Sequence, residues 1–171
     1  MQQLSNDGTS GERFEPYRRP YLATHPALAA AQREFSRLSA DLVRQAQALA
    51  AVGIEDKPDV RQSPQRCILQ LGPVAATLTW LRSADSAADG QLLVVVWRGN
   101  IARPGVHQFE RPRQGPLAAA ATALWEGVYV ATADNEASWR WQPQAVDSAS
   151  CSSAELAAIC AAELHRAHVE S

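Results

Sequence analysis

Lysine is almost missing from this chain. Lys57 stands alone among its 16 Lys and Arg residues. Arginine suits bidentate recognition of phosphate or carboxylate, but beside so much alanine the imbalance reads as the codon bias of a GC-rich bacterial genome. Cysteine is scarce too: Cys67, Cys151 and Cys160 form no CxxC pair, and one is left over under any disulfide scheme. That speaks against a disulfide scaffold or a zinc site and for a reducing cytoplasm. The longest unbroken apolar run, Leu92 to Trp97, falls far short of the ~20 residues a membrane helix needs. Met1 to Glu15 has no apolar core of a signal peptide, so neither export nor a membrane partner is expected. An excess of one charge is also lacking. A net charge of −2 leaves no electrostatic case for nucleic acid.

Catalytic signatures are absent as well. There is no GxGxxG, Walker loop, HExxH, GxSxG or EF-hand pattern, and Gly8-Thr9-Ser10-Gly11 lacks the phosphate-loop spacing. His165 and His168 could share a metal with Glu163 or Glu170, but their place near the C-terminus favours solvation. The pairs Asp85/Asp89 and Asp134/Glu136 sit in expected turns, where acidic residues serve the local backbone. A Cys151–His nucleophile pair needs a fold that joins them. No metal, cofactor or catalytic residue is therefore assigned.

What is present is a well-punctuated series of elements. Residues 1–21 are polar and without period, which predicts a flexible arm ahead of one domain at 22–171. In the arm Phe14, Tyr17 and Tyr21 interleave with Arg13, Arg18 and Arg19, a pattern that could stack on bases or dock on a partner but more often pins an arm onto its own domain. Thr24 or His25 caps a helix with Pro26 in its first turn. Its stripe runs through Leu28, Ala31, Phe35, Leu38, Leu42, Leu49 and Val52, and Gly53 is placed to close it. The length, about 39 Å, suits packing across a sheet. Residues 55–65 read as a polar linker.

Arg66–Leu71 and Val74–Arg82 then predict a hairpin around Gly72-Pro73. Its register pairs Leu71 with Val74, Leu69 with Ala76 and Cys67 with Leu78, all apolar, with Trp80 on the same face. Arg66, Gln70, Thr77 and Thr79 collect on the other face, with Ile68 and Leu81 as exceptions. Leu92 to Trp97 is apolar on both faces, so a central strand covered on both sides is expected. Residues 102–116 form an irregular loop holding the densest positive patch, Arg103, His107, Arg111 and Arg113, a candidate anion site.

Pro116 to Glu126 is alanine-rich and predicts a short helix. Val128–Ala133 and Ser138–Gln142 predict a second hairpin. A four-residue loop would set Thr132 opposite Trp139 and Val130 opposite Trp141, whereas a three-residue loop would bring Tyr129 and Ala131 to the tryptophans. Ser152 and Glu155 form a capping box for a last helix whose face holds Leu156, Ile159, Cys160, Leu164 and Ala167.

The expected fold is α+β: a mainly antiparallel five-stranded sheet with a long N-terminal and a C-terminal helix packed on it, in the order α-β-β-β-α-β-β-α. This element order is similar to that of the type III secretion chaperones and related bacterial dimeric α+β domains, with no motif in common. The expectation is a non-catalytic, chaperone-like or protein-interaction domain acting as a homodimer. Unpaired edges at Arg66–Leu71 and Ser138–Gln142 would mediate pairing, with Trp139 and Trp141 buried between copies. The alternative is a small-molecule binder or enzyme taking an anionic ligand near the 102–116 loop.

Overall fold

The turn at Gly72-Pro73 sets the register of the sheet. Gly72 takes φ 55, which an L side chain resists, so the chain reverses within two residues. Leu71 pairs with Val74, Leu69 with Ala76 and Cys67 with Leu78, as the alternation requires. The computed structural model describes residues 21–51, 57–82, 90–101, 121–145 and 148–171. A 3-10 turn at Tyr21–Ala23 leads into α1 (His25–Ala51). Then follow β1 (Asp59–Ser63), β2 (Arg66–Leu71), β3 (Val74–Arg82), β4 (Gly90–Arg98), β5 (Thr122–Thr132), a 3-10 turn at Glu136–Ser138, β6 (Arg140–Pro143) and α2 (Ser153–Val169). The protein is α+β, with one antiparallel sheet of six strands in sequence order β1-β2-β3-β4-β5-β6.

The sixth strand is β1, which lies in the stretch expected to be linker. Its composition is polar, but it pairs along its whole length with β2, Asp59 to Gln70 through Ser63 to Arg66. Backbone bonds hold an edge strand whose side chains are mostly exposed. The second correction concerns Pro116–Glu126: of its described residues, Thr122–Glu126 are strand. They open β5, which pairs with Gln91–Arg98 of β4, and this ladder overrides the helical preference of alanine. A bulge between Val96 and Trp97 lets Trp125 oppose Val96 and Ala123 oppose Trp97, leaving Leu124 as the extra residue. In the second hairpin Ala131 faces Trp141 and Thr132 faces Arg140. Residues 133–139, with their 3-10 turn, form a longer connection than either expected loop.

Both helices lie on one face of the sheet and pack on each other. The core between them joins Phe35, Leu38 and Leu42 of α1 to Leu156, Cys160 and Leu164 of α2 over Leu69, Leu78, Leu92, Val94 and Val96. Ser152 caps α2 with the expected box: its hydroxyl accepts from Glu155 N–H, while the Glu155 carboxylate accepts from Ser152 N–H. Ile159, expected on the buried stripe, is 41% exposed, because the stripe runs through Ser153, Leu156, Ala157, Cys160, Ala161 and Leu164. Gly127 sits opposite Val94, where a Cβ would lie 2.7 Å from the Tyr129 ring and 2.9 Å from that of Trp125. Its missing side chain is the space into which those rings close.

Trp139 and Trp141 belong to this core. With Trp80 they form a cluster with ring centroids 5.1 to 6.5 Å apart, tilted or edge-to-face. Trp141 is fully buried and its indole N–H donates to Ser153 Oγ at 3.0 Å. That hydroxyl in turn donates to Glu34 Oε2 at 2.6 Å, a chain linking the sheet to both helices. The expectation that either tryptophan loses exposure between copies is thereby corrected. The connection at 133–139 folds Trp139 inward, to 6% exposure, and Trp141 points at α2. Of the expected arm, only Tyr21 lies within the described residues.

Candidate functional site

The strand β4 was expected to be covered on both faces, yet both described helices lie on one. Alternation puts Leu93, Val95 and Trp97 on the other side, with Ala75, Thr77, Thr79 and Leu81 from β3 and Val128 and Val130 from β5. The middle of this face is tightly packed: Ala75, Thr77 and Val95 are buried. The Trp97 indole N–H donates to Thr77 Oγ1 at 3.0 Å, so the ring lies across β3. Gln70, expected on a polar face, is also buried. Its amide nitrogen reaches the carbonyl oxygens of Gly72, Val74 and Gly99 at 2.8 to 3.1 Å, and its oxygen accepts from Ile101 N–H at 3.0 Å. One side chain thus satisfies the turn and the end of β4 together.

Around that centre the face carries exposed apolar side chains, with Glu126 opposite Val95 and Gln91 between Leu81 and Val130 as exposed polar members. Leu81 is 51% exposed and Leu124, at the bulge, 37%. Leu93, Trp97, Val128 and Val130 are half-buried. Cross-strand pairing sets Leu93 beside Val128 and aligns Leu81, Gln91 and Val130 in one row, so the apolar residues form a patch. Ile68 and Leu81, the two exceptions to a polar face, were its signal in the sequence.

The two sheet edges differ. At β6, Trp141 N–H donates to Cys151 O at 2.8 Å and Cys151 N–H to Trp141 O at 2.9 Å, while Pro143 has no N–H to offer. Arg140 Nη2 and Gln142 Nε2 reach over to Ser150 O and Ser148 O. This edge is closed. Arg66–Leu71, the other edge expected from sequence, is interior, and β1 takes its place. Trp80 N–H donates to Gln65 O and Gly99 N–H to Pro73 O, which fixes the alternation of bonding across β3 and β2. By that parity Asp59, Arg61 and Ser63 bond to β2, and Val60 and Gln62 direct their N–H and C=O away from the sheet.

Pockets are modest. One hollow of about 50 Å³ lies between Leu28, Ala31 and Phe35 of α1 and Pro64, Trp80 and Arg82. Cavities for small ligands run to roughly 300–1,000 Å³. A neighbouring, more open notch of about 560 Å³ falls within that range and is lined by Gln32 and Ser36 of α1 and by Gln62, Ser63 and Pro64.

The thiols are unsuited to nucleophilic work. All three are free and buried. Burial pushes the Cys160 thiol up to about 12 and raises Cys67 and Cys151 above the ordinary value, so each stays protonated near neutrality. The Cys151 thiol donates to Trp141 O at 3.5 Å, not to a histidine. Among the described residues no group of three or more His, Cys, Asp and Glu side chains is placed to hold a metal ion. Likewise no described helix is long and apolar enough to cross a membrane. The candidate anion residues Arg103, His107, Arg111 and Arg113 lie outside the described residues. No family model, curated protein or solved structure matches the chain.

Proposed function

We propose that the chain is a non-catalytic, chaperone-like protein-interaction module that works as a homodimer and presents the sheet face opposite its two described helices to a protein partner. The observation carrying this reading is the open apolar patch around Leu81, Leu93, Trp97 and Leu124 on a sheet whose other face already holds a complete core. Exposed apolar area of that kind, with aromatic content, is what protein interfaces use. Buried, protonated thiols are poor nucleophiles, which supports binding over catalysis. We place the dimer in a bacterial cytoplasm, where three unbridged cysteines suit a reducing medium.

The test is a pair of surface changes, Leu81→Asp with Leu124→Asp. Both positions are exposed, so the unfolding free energy should stay within about 0.5 kcal/mol of the parent. A protein that is crosslinked to the parent chain in its source cells should no longer be crosslinked to the variant. The reading fails if phosphate or phosphorylated metabolites raise the melting temperature in a concentration-dependent way and Arg111→Ala with Arg113→Ala removes the effect. That result would assign the chain to the anion-binding class instead.

A further inference from the structure

We infer that two copies of this chain join through β1, antiparallel across a two-fold axis at Val60, to make one sheet that runs through both. This rests on the homodimer reading and names its interface. Three observations carry it. The first is which edge is free among the described residues: the outward bonds of β6 are taken by Cys151 or absent at Pro143, while Val60 and Gln62 on β1 have both backbone groups directed outward. With one open and one closed edge, strand pairing stops at two copies and cannot grow into a fibre.

The second observation is charge. Asp59 and Arg61 are both exposed on the side of β1 away from the helices, and their ion pair is long, 3.9 Å. With the axis at Val60, Arg61 of each copy stands opposite Asp59 of the other, in the close, non-hydrogen-bonded type of pair. With the axis one residue on, at Arg61, the two arginines would oppose each other. Like charges in that position destabilise a sheet, so the sequence of β1 selects the Val60 axis. In this register the two Val60 residues exchange both N–H···O=C bonds, and Gln62 N–H donates to Pro58 O of the second copy.

The third observation is room. The notch between α1 and the C-terminal end of β1, about 560 Å³ and lined by Gln32, Ser36, Gln62, Ser63 and Pro64, is largely open to solvent. It accepts the helix-side groups of an added strand, with Pro58 of the second copy beside Gln62. Val60 already packs in part against the core, so the paired valines extend the apolar layer.

The experiment combines mass with crosslinking. Under mild oxidation Val60→Cys should form a covalent dimer of twice 18.5 kDa, because the paired positions face each other. The native thiols are buried, so the parent chain gives the background. Arg61→Cys should not crosslink above that background, and crosslinking at Arg61 in place of Val60 overturns the register. Arg61→Asp should weaken the dimer about tenfold, and adding Asp59→Arg should restore it. A chain that scatters light as a dimer but gives no Val60 crosslink and no charge-swap rescue overturns this interface alone. A monomeric mass overturns the homodimer reading with it.

Discussion

Trp141 and Cys151 exchange both of their backbone hydrogen bonds, at 2.8 and 2.9 Å. Among the described residues this sheet closes only one of its two edges, and does so with the segment that leads into α2. The bridge sets Ser152 and Ser153 at the start of the helix, where the first caps it and the second accepts from the Trp141 indole. Cys151→Pro removes the donor to Trp141 O. The expected cost is about 1–3 kcal/mol in chemical denaturation, with a rise in aggregation as the edge opens.

Ser153 lies between Trp141 and Glu34 at 3.0 and 2.6 Å. Ser153→Ala leaves a buried indole N–H without its acceptor and should cost about 1–3 kcal/mol. Glu34→Gln keeps an acceptor for the hydroxyl and should cost less. A double-mutant cycle on Ser153→Ala and Glu34→Ala would read their coupling, and strict additivity would contradict a shared network.

Leu69 is fully buried in the middle of the helix-covered face. Leu69→Arg places an unpaired charge there and should unfold the protein, at a cost above about 4 kcal/mol. On the opposite face the sequence pattern alone would let Thr77 accept a large polar residue. In the structure Thr77 is 5% exposed and holds the Trp97 indole, so Thr77→Arg should also destabilise strongly. A circular-dichroism melt of Thr77→Arg matching the parent would contradict the packing described for that face.

Cys160 and Tyr129 give the protein an alkaline limit. Burial raises the Cys160 thiol from 9.0 to about 12 and the Tyr129 hydroxyl from 10.0 to about 12. Both folded-state values exceed the unfolded ones. The stabilisation is thus complete below about pH 9 and is lost as the pH climbs toward 12. Urea midpoints should fall across that window. Cys160→Ala should lower the midpoint at neutral pH through its cavity yet flatten the alkaline fall. An unchanged alkaline slope in the variant would show that the thiol does not ionise on unfolding.

Several features could be read from the sequence because a strict local rule governs them. A two-residue turn and a period of two fix the β2–β3 pairing, and the box of Ser152 and Glu155 fixes the start of α2. The strand β1 escaped notice because an edge strand between two prolines needs little apolar content when its partner supplies the bonds. The start of β5 looked helical because alanine's preference is local, while the ladder to β4 that decides it comes from distant residues. The tryptophans of the second hairpin were read as surface because only the longer connection at 133–139 turns them inward. The open face was written in Ile68 and Leu81, but a long apolar run in β4 pointed as readily to a second covering layer.

The most direct measurement of the account is mass in solution, by light scattering coupled to size exclusion over a dilution series at micromolar concentration. The account predicts twice 18.5 kDa, falling on dilution and falling sooner for Arg61→Asp. A constant 18.5 kDa for the parent chain at every concentration would contradict it.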